Sequence, residues 1–240
     1  NKKKARGKIR RETLAAVEED AFRSGGEIRG FGITLNLAPV AEVLTGENRA
    51  FLEDRSYGPN AAFVNEACAA FIRGMERAGV LCAVKHFPGN TGEDPHDRRS
   101  VISPDRAALN KMAAPMIRRL KASPPPMAMV SHALVPAWDA EQNASLSKAV
   151  IGSWLRGEIG FNGVVLADDF AMGAVGRDPA EAAVEALNAG VDMLMAWPLN
   201  INAIHAAIMA ALGEGRLGRE RLEDAAARII YEKLRLGVQQ

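Results

Sequence analysis

The 240 residues are 48% hydrophobic and 25% charged, with a net charge of +1. That is the composition of a globular chain long enough for one large domain or two small ones, and it excludes a basic field for nucleic acid or an acidic one for a cationic partner. No stretch approaches the roughly 18–20 apolar residues of a membrane span, no apolar signal segment follows the charged start, and the one charge run, Lys2-Lys3-Lys4 with Arg6, Lys8, Arg10 and Arg11, reads as a solvated helix face.

In chain order, Ile9 to about Gly25 is an Ala- and Glu-rich helix, and Ile33–Val40 is a strand ending at Pro39. Asn60 to Ala78 is an amphipathic helix closed by Gly79. The apolar run from Val80 to Lys85 reads as a buried parallel strand, followed by a Gly/Pro-punctuated loop. Ser103 as N-cap with Pro104 at the first position opens a helix to about Lys121. Met127–Ala133 is a strand, Ser147–Ile159 a helix with Gly160 beyond its end, and 163–167 a further strand. Pro179–Ala189 is a helix, Val191–Ala196 a strand, and the rest is helical to Leu236. The β/α alternation predicts a parallel sheet covered by helices.

Polar residues gather where the strands end: Asn36, Lys85-His86, Ser131-His132, Asp168-Asp169 and Trp197. In a (β/α)₈ barrel or an open doubly wound sheet, that edge holds the ligand. The phosphate-binding pattern G-x-x-x-x-G-K-[ST] is missing from the sequence. Lys85 and His86 are costly on a strand unless they face a polar cleft. The following loop delivers Asp94 two residues before His96, a carboxylate able to orient an imidazole for proton transfer. Adjacent strand residues face opposite ways, so only one of Asp168 and Asp169 looks into a given cleft; a helix cap is the structural alternative for Asp169. Cys68 and Cys82 read as small buried hydrophobes rather than ligands or a disulfide.

Six segments in order, over about residues 30–237, resemble family 3 glycoside hydrolases of the β-N-acetylglucosaminidase branch. Asn36-Leu37-Ala38-Pro39-Val40 is similar to the family's N-F-A-P-V, and Asp54-Arg55-Ser56-Tyr57-Gly58 to its E/D-R-S-F/Y-G. Lys85-His86-Phe87-Pro88-Gly89 is identical to its K-H-F-P-G. Asn143–Ser147 resembles P-A-S-L-S, Gly160–Val165 resembles G-F-D-G-V-V/I, and Ala167–Met172 resembles S-D-D-L-x-M. The resemblance implies one domain over 1–240, a TIM-type (β/α)₈ barrel. Only five strands are evident where the barrel needs eight, so the chain is expected to lack the first strands, as an N-terminally truncated fragment would.

The resemblance further implies a retaining exo-β-N-acetylglucosaminidase that removes terminal β-GlcNAc from glycans such as cell-wall muropeptides. Asp168 would be the nucleophile, His96 the general acid/base and Asp94 its partner, while Arg55, Lys85 and His86 would bind sugar hydroxyls. A retaining glycosidase needs an ionised carboxylate and a second group that gives and then takes a proton; an imidazole, titrating near ~6.5 in model peptides, suits both steps. The chain departs from the family in having Asn90 where histidine is usual, a shorter loop to Asp94, Pro95 inside the Asp94–His96 pair, and no D-Q-E-G-G segment before Asn36. The alternatives are a β-GlcNAc phosphorylase, a carbohydrate-binding relative with impaired turnover, and a metal-dependent hydrolase using His86, Asp94, His96 and His132, the last lacking the usual ligand spacing. No cofactor or metal is expected. The partner is a small carbohydrate, with no nucleic acid and no membrane span. The expected compartment is cytoplasmic, unless an export signal lies in a missing N-terminal segment.

Overall fold

In the computed structural model, residues 2–122 and 125–237 are described. The elements are α1 (Lys2–Gly30), β1 (Leu35–Asn36), α2 (Arg49–Leu52), α3 (Ala61–Arg77), β2 (Leu81–Phe87), α4 (Arg106–Met112), α5 (Ala114–Ala122) and β3 (Met127–Val130). There follow β4 (Leu134–Val135), β5 (Asp139–Asn143), a helix Ala149–Glu158, β6 (Val164–Ala167), α6 (Pro179–Ala189), α7 (Ile201–Gly213) and α8 (Arg219–Arg235). The side chains of Lys2, Lys3, Lys4 and Arg6, read above as part of a solvated face, lie outside the described residues. Among the described residues no helix is long and apolar enough to cross a membrane.

Four strands form a parallel sheet in the order β1-β2-β3-β6, and Met193 extends it through a single bridge to Leu166. The side-chain alternation of a strand divides the core in two. Leu81, Ala83, Met127, Met129, Val164 and Leu166 share one face with the half-buried Leu35, Leu37, Met193 and Met195. Cys82, Val84, Ala128, Val130, Val165 and Ala167 face the other way, against Cys68 and Met75 of α3 and Trp154 of the helix Ala149–Glu158. Both faces are buried, which is why these strands read as unbroken apolar runs. Among the described residues the sheet does not close into a ring: β1 is an edge, and beside it Phe31 and Ile33 are exposed.

Several expectations needed correction. The Ile33–Val40 strand shrinks to a two-residue ladder plus a bridge from Val40 to Lys85. Val191–Ala196 shrinks to the Met193 bridge. The cap of α4 is Asp105, whose carboxylate accepts from the Ala108 N–H at 2.8 Å, and not Ser103; the helical stretch also breaks at Ala113. The antiparallel pair β4–β5 went unforeseen, because Asp139–Asn143 has no apolar alternation. The helix Ala149–Glu158 is wound with wide i→i+5 turns, as in the Ile159 N–H bond to Trp154 O. Asn60 and Asp178 cap α3 and α6, and Gly190 ends α6 at φ 113°, a conformation suited to glycine. Cys68 and Cys82 are free and buried, as expected.

Away from the strand C-termini, Asp192 is fully enclosed and accepts from Val165 N at 2.9 Å and Arg156 Nη2 at 2.5 Å. Arg221 pairs with its other oxygen, and Arg228 stands 3.8 Å away. This cluster fastens the sheet to the helix Ala149–Glu158 and to α8. Removing the carboxylate would leave three guanidinium groups facing one another, so its role is architectural.

Candidate active site

The chain leaving β1 continues beside β2 to the sheet's C-terminal edge. Lys85 N donates to Pro39 O at 3.0 Å and Ala41 N to Lys85 O at 2.7 Å, which delivers Glu42 to the rim. His86 Nδ1 lies 2.6 Å from Glu42 Oε1, and Asn90 N donates to Oε2 at 2.7 Å. On the other side of the ring, His86 Nε2 is 3.9 Å from Asp168 Oδ2, a Coulombic distance rather than a hydrogen bond. Lys85 follows Ala83 in the alternation and is half-buried. Burial pushes its amine below the usual lysine range and nearby Arg55 adds to this, while Asp168 and Glu42 oppose it.

Asp168 follows Ala167 at the end of β6, with its N–H donated to Val130 O at 3.0 Å and its Oδ1 accepting from Asp169 N at 2.9 Å. It is almost fully buried. Asp169 is turned elsewhere. Its carboxylate accepts from Ala171 N at 2.8 Å and from the Trp197 indole N–H, so it holds a turn and the Trp197 side chain rather than capping a helix. His132 lies behind it, 3.0 Å from the Asp169 carbonyl through Nε2 and 2.7 Å from Ser145 Oγ through Nδ1. A carbonyl only accepts, which places the proton on Nε2 and leaves Nδ1 to accept from the serine. Burial moves this imidazole below its ordinary range, so it stays neutral.

Asp94 and His96 pair as the sequence predicts. His96 Nδ1 is 2.7 Å from Asp94 Oδ1, and the same oxygen accepts from His96 N at 2.9 Å. The His96 backbone N–H, then its ring, hold the Asp94 carboxyl below the usual carboxylate range. The loop is pinned to the turn that follows Asp168: Gly173 N donates to His96 O at 2.9 Å and Ala174 N to Pro95 O at 3.1 Å. The approach is close enough that a Cβ on Gly173 would stand 2.7 Å from the His96 oxygen. Arg55 packs over the Phe51 ring at 4.3 Å, and that ring is 6.2 Å from His86. Its charge lowers the pKa of both Lys85 and Asp94.

His86 and Asp168 therefore form a buried floor with the half-buried Lys85 beside them, and Arg55, Asp94 and His96 are on the exposed rim. His132 belongs to a separate buried pair, which leaves the His86, Asp94, His96, His132 metal set dispersed among different partners. Among the described residues no group of three or more His, Cys, Asp or Glu side chains is arranged to hold a metal ion. Asn36, marked by its polarity as a rim residue, instead turns its amide toward Met75 Sδ of α3 at 3.8 Å. Sequence reasoning passed over Glu42. Its signal was a lone carboxylate inside the apolar run Pro39-Val40-Ala41-Glu42-Val43, expensive to bury without donors.

Residues 6–231 match the glycosyl hydrolase family 3 N terminal domain, and the chain belongs to that family. It is 31% identical to "Beta-hexosaminidase A" of Pseudoalteromonas piscicida, over 88% of this chain and 40% of that protein. It is also 31% identical to "Beta-hexosaminidase LpqI" of Mycobacterium tuberculosis, over 95% of this chain and 61% of that one. Among solved structures, a family 3 β-N-acetylglucosaminidase from Paenibacillus sp. str. FPU-7 superposes with a TM-score of 0.88 at 33% identity, covering 94% of this chain and 44% of that one. The chain thus spans about two fifths to three fifths of the length of these relatives.

Proposed function

We propose that the chain is the catalytic domain of a retaining β-N-acetylglucosaminidase acting on terminal β-GlcNAc, with cell-wall muropeptide fragments as the substrate class. In such an enzyme the sheet β1-β2-β3-β6 and the Met193 segment are staves of a (β/α)₈ barrel. The observation that carries the reading is a buried carboxylate, Asp168, 3.9 Å from the His86 ring, whose following turn is bonded to the loop that carries the Asp94–His96 pair. Relatives named β-hexosaminidase, aligned over most of the chain, support the same choice.

Asp168 attacks the anomeric carbon as the bond to the leaving oxygen breaks, and His96 gives that oxygen a proton. His96 then takes a proton from water, whose oxygen displaces Asp168 and regenerates the carboxylate. Asp94 holds Nδ1 of His96, leaving Nε2 to carry the transferred proton, as the third member of a triad does. Lys85, His86 and Arg55 bind the sugar. Release of nitrophenol from an aryl β-GlcNAc glycoside tests the activity, and trapping with a slow fluorinated glycoside tests the nucleophile. Asp168→Asn should lose turnover by several orders of magnitude while folding normally, and Asp169→Asn should lose mainly stability. A label on Asp169, or no label on any residue, would sink the assignment; the second result would favour an impaired carbohydrate-binding relative.

A phosphorylase is the second reading. A structure titled "Beta-glucoside phosphorylase BglX" superposes with a TM-score of 0.84 at 26% identity. A histidine in place of a second carboxylate, with Arg55 nearby, would tolerate a phosphate acceptor. Formation of sugar 1-phosphate when phosphate is added separates the two.

A further inference from the structure

We propose that Glu42 is a positioning residue for this cleft, acting through His86. Its carboxylate is buried, and among the described residues all the hydrogen bonds it accepts come from the segment His86–Asn90. These are the His86 ring at 2.6 Å, the Asn90 backbone at 2.7 Å, the Asn90 amide at 3.2 Å and the His86 backbone at 3.4 Å. Glu42 is fixed from its own side as well, since Ser56 Oγ donates to its carbonyl at 2.7 Å and Ala41 N to Lys85 O at 2.7 Å. An ionised carboxylate can only accept, so the 2.6 Å contact places a proton on Nδ1 of His86 and turns Nε2 toward Asp168.

Nε2 and Asp168 Oδ2 are 3.9 Å apart. That is too far for a direct bond, and it leaves Nε2 open to a hydroxyl beside Asp168. The sugar supplies that hydroxyl, so in this respect the inference rests on the glycosidase reading. Asn90 completes the arrangement. Gly89 adopts φ 140°, which suits glycine, and swings Asn90 back onto the same carboxylate as His86. The resembled family usually has histidine there; in this chain amide donors do the holding.

Glu42→Gln removes the charge at constant volume. In histidine-labelled protein, with the His86 resonance identified by its loss in His86→Gln, the Nδ1 proton should lie far downfield and move upfield in Glu42→Gln. An unchanged His86 resonance overturns the proposal. On an aryl β-GlcNAc glycoside, kcat/KM should fall about 10–100-fold, as when other orienting partners are removed. Adding Glu42→Gln to His86→Ala should cost nothing further, whereas additive losses would show that Glu42 acts elsewhere and also overturn it. If the unmutated protein turns over no β-GlcNAc glycoside, the glycosidase reading fails and the histidine spectrum alone decides the role of Glu42.

Discussion

Two histidine–carboxylate pairs with almost the same bond length sit in opposite surroundings. His86–Glu42 is 2.6 Å long, with 5% and 4% of the side chains exposed; His96–Asp94 is 2.7 Å long, with 66% and 55% exposed. In the first pair, water cannot replace a lost partner, so the bond fixes an imidazole in place and is expensive to break. In the second, solvent screens the attraction and the bond adds little to stability. In the proposed mechanism it instead orients a ring that exchanges protons with a leaving group and with water. Geometry alone would treat the pairs as equals, and burial assigns them different work.

The widest separation should appear in stability. Glu42→Ala strands donors from His86 and Asn90 inside the protein and should cost about 3–5 kcal/mol, while Asp94→Ala should leave the unfolding transition where it is. Urea unfolding followed by tryptophan fluorescence makes the comparison, and equal shifts would erase the distinction. Next comes a difference in chemistry. His96→Ala should slow glycosides with poor leaving groups by about 10²–10⁴-fold, with much smaller losses for activated aryl glycosides. A uniform loss across a leaving-group series would assign His96 to binding or folding.

The smallest effect concerns acid. A carboxyl whose folded pKa is lowered contributes stability above its unfolded value, and that contribution fades as pH falls through the lowered folded value. For Asp94 this is too screened to register in unfolding, but it is visible in a carbon NMR titration. The largest cause is the backbone N–H of residue 96, which survives in His96→Ala. Most of the depression should therefore persist in that variant; a return to the ordinary ~3.9 would mean that the ring dominates.

Much of this arrangement was legible in the residues because it depends on short-range rules. Apolar runs marked β2, β3 and β6, Gly79 and Gly160 marked helix ends, and a carboxylate two residues before an imidazole was enough to predict the Asp94–His96 pair, whose bond is closed within one turn. Alternation also separated Asp168 from Asp169. What escaped depended on distant partners. Ser103 and Asp105 are both competent caps, and only the path of the chain selects Asp105. Val191–Ala196 looks like a strand, but among the described residues only Met193 forms a β-bridge to a neighbour.

Glu42 is the clearest case, since its donors lie more than forty residues further on, at His86 and Asn90. A lone acid in an apolar run signals that a partner must exist without saying where. The sequence determined the strands, the helix ends and the local Asp94–His96 pair, because each is decided by neighbours within a few positions. Only the tertiary structure decided which carboxylate holds His86, which aspartate lies beside it, and which pair is sealed from water, because burial and long-range hydrogen bonding depend on what the rest of the chain packs against.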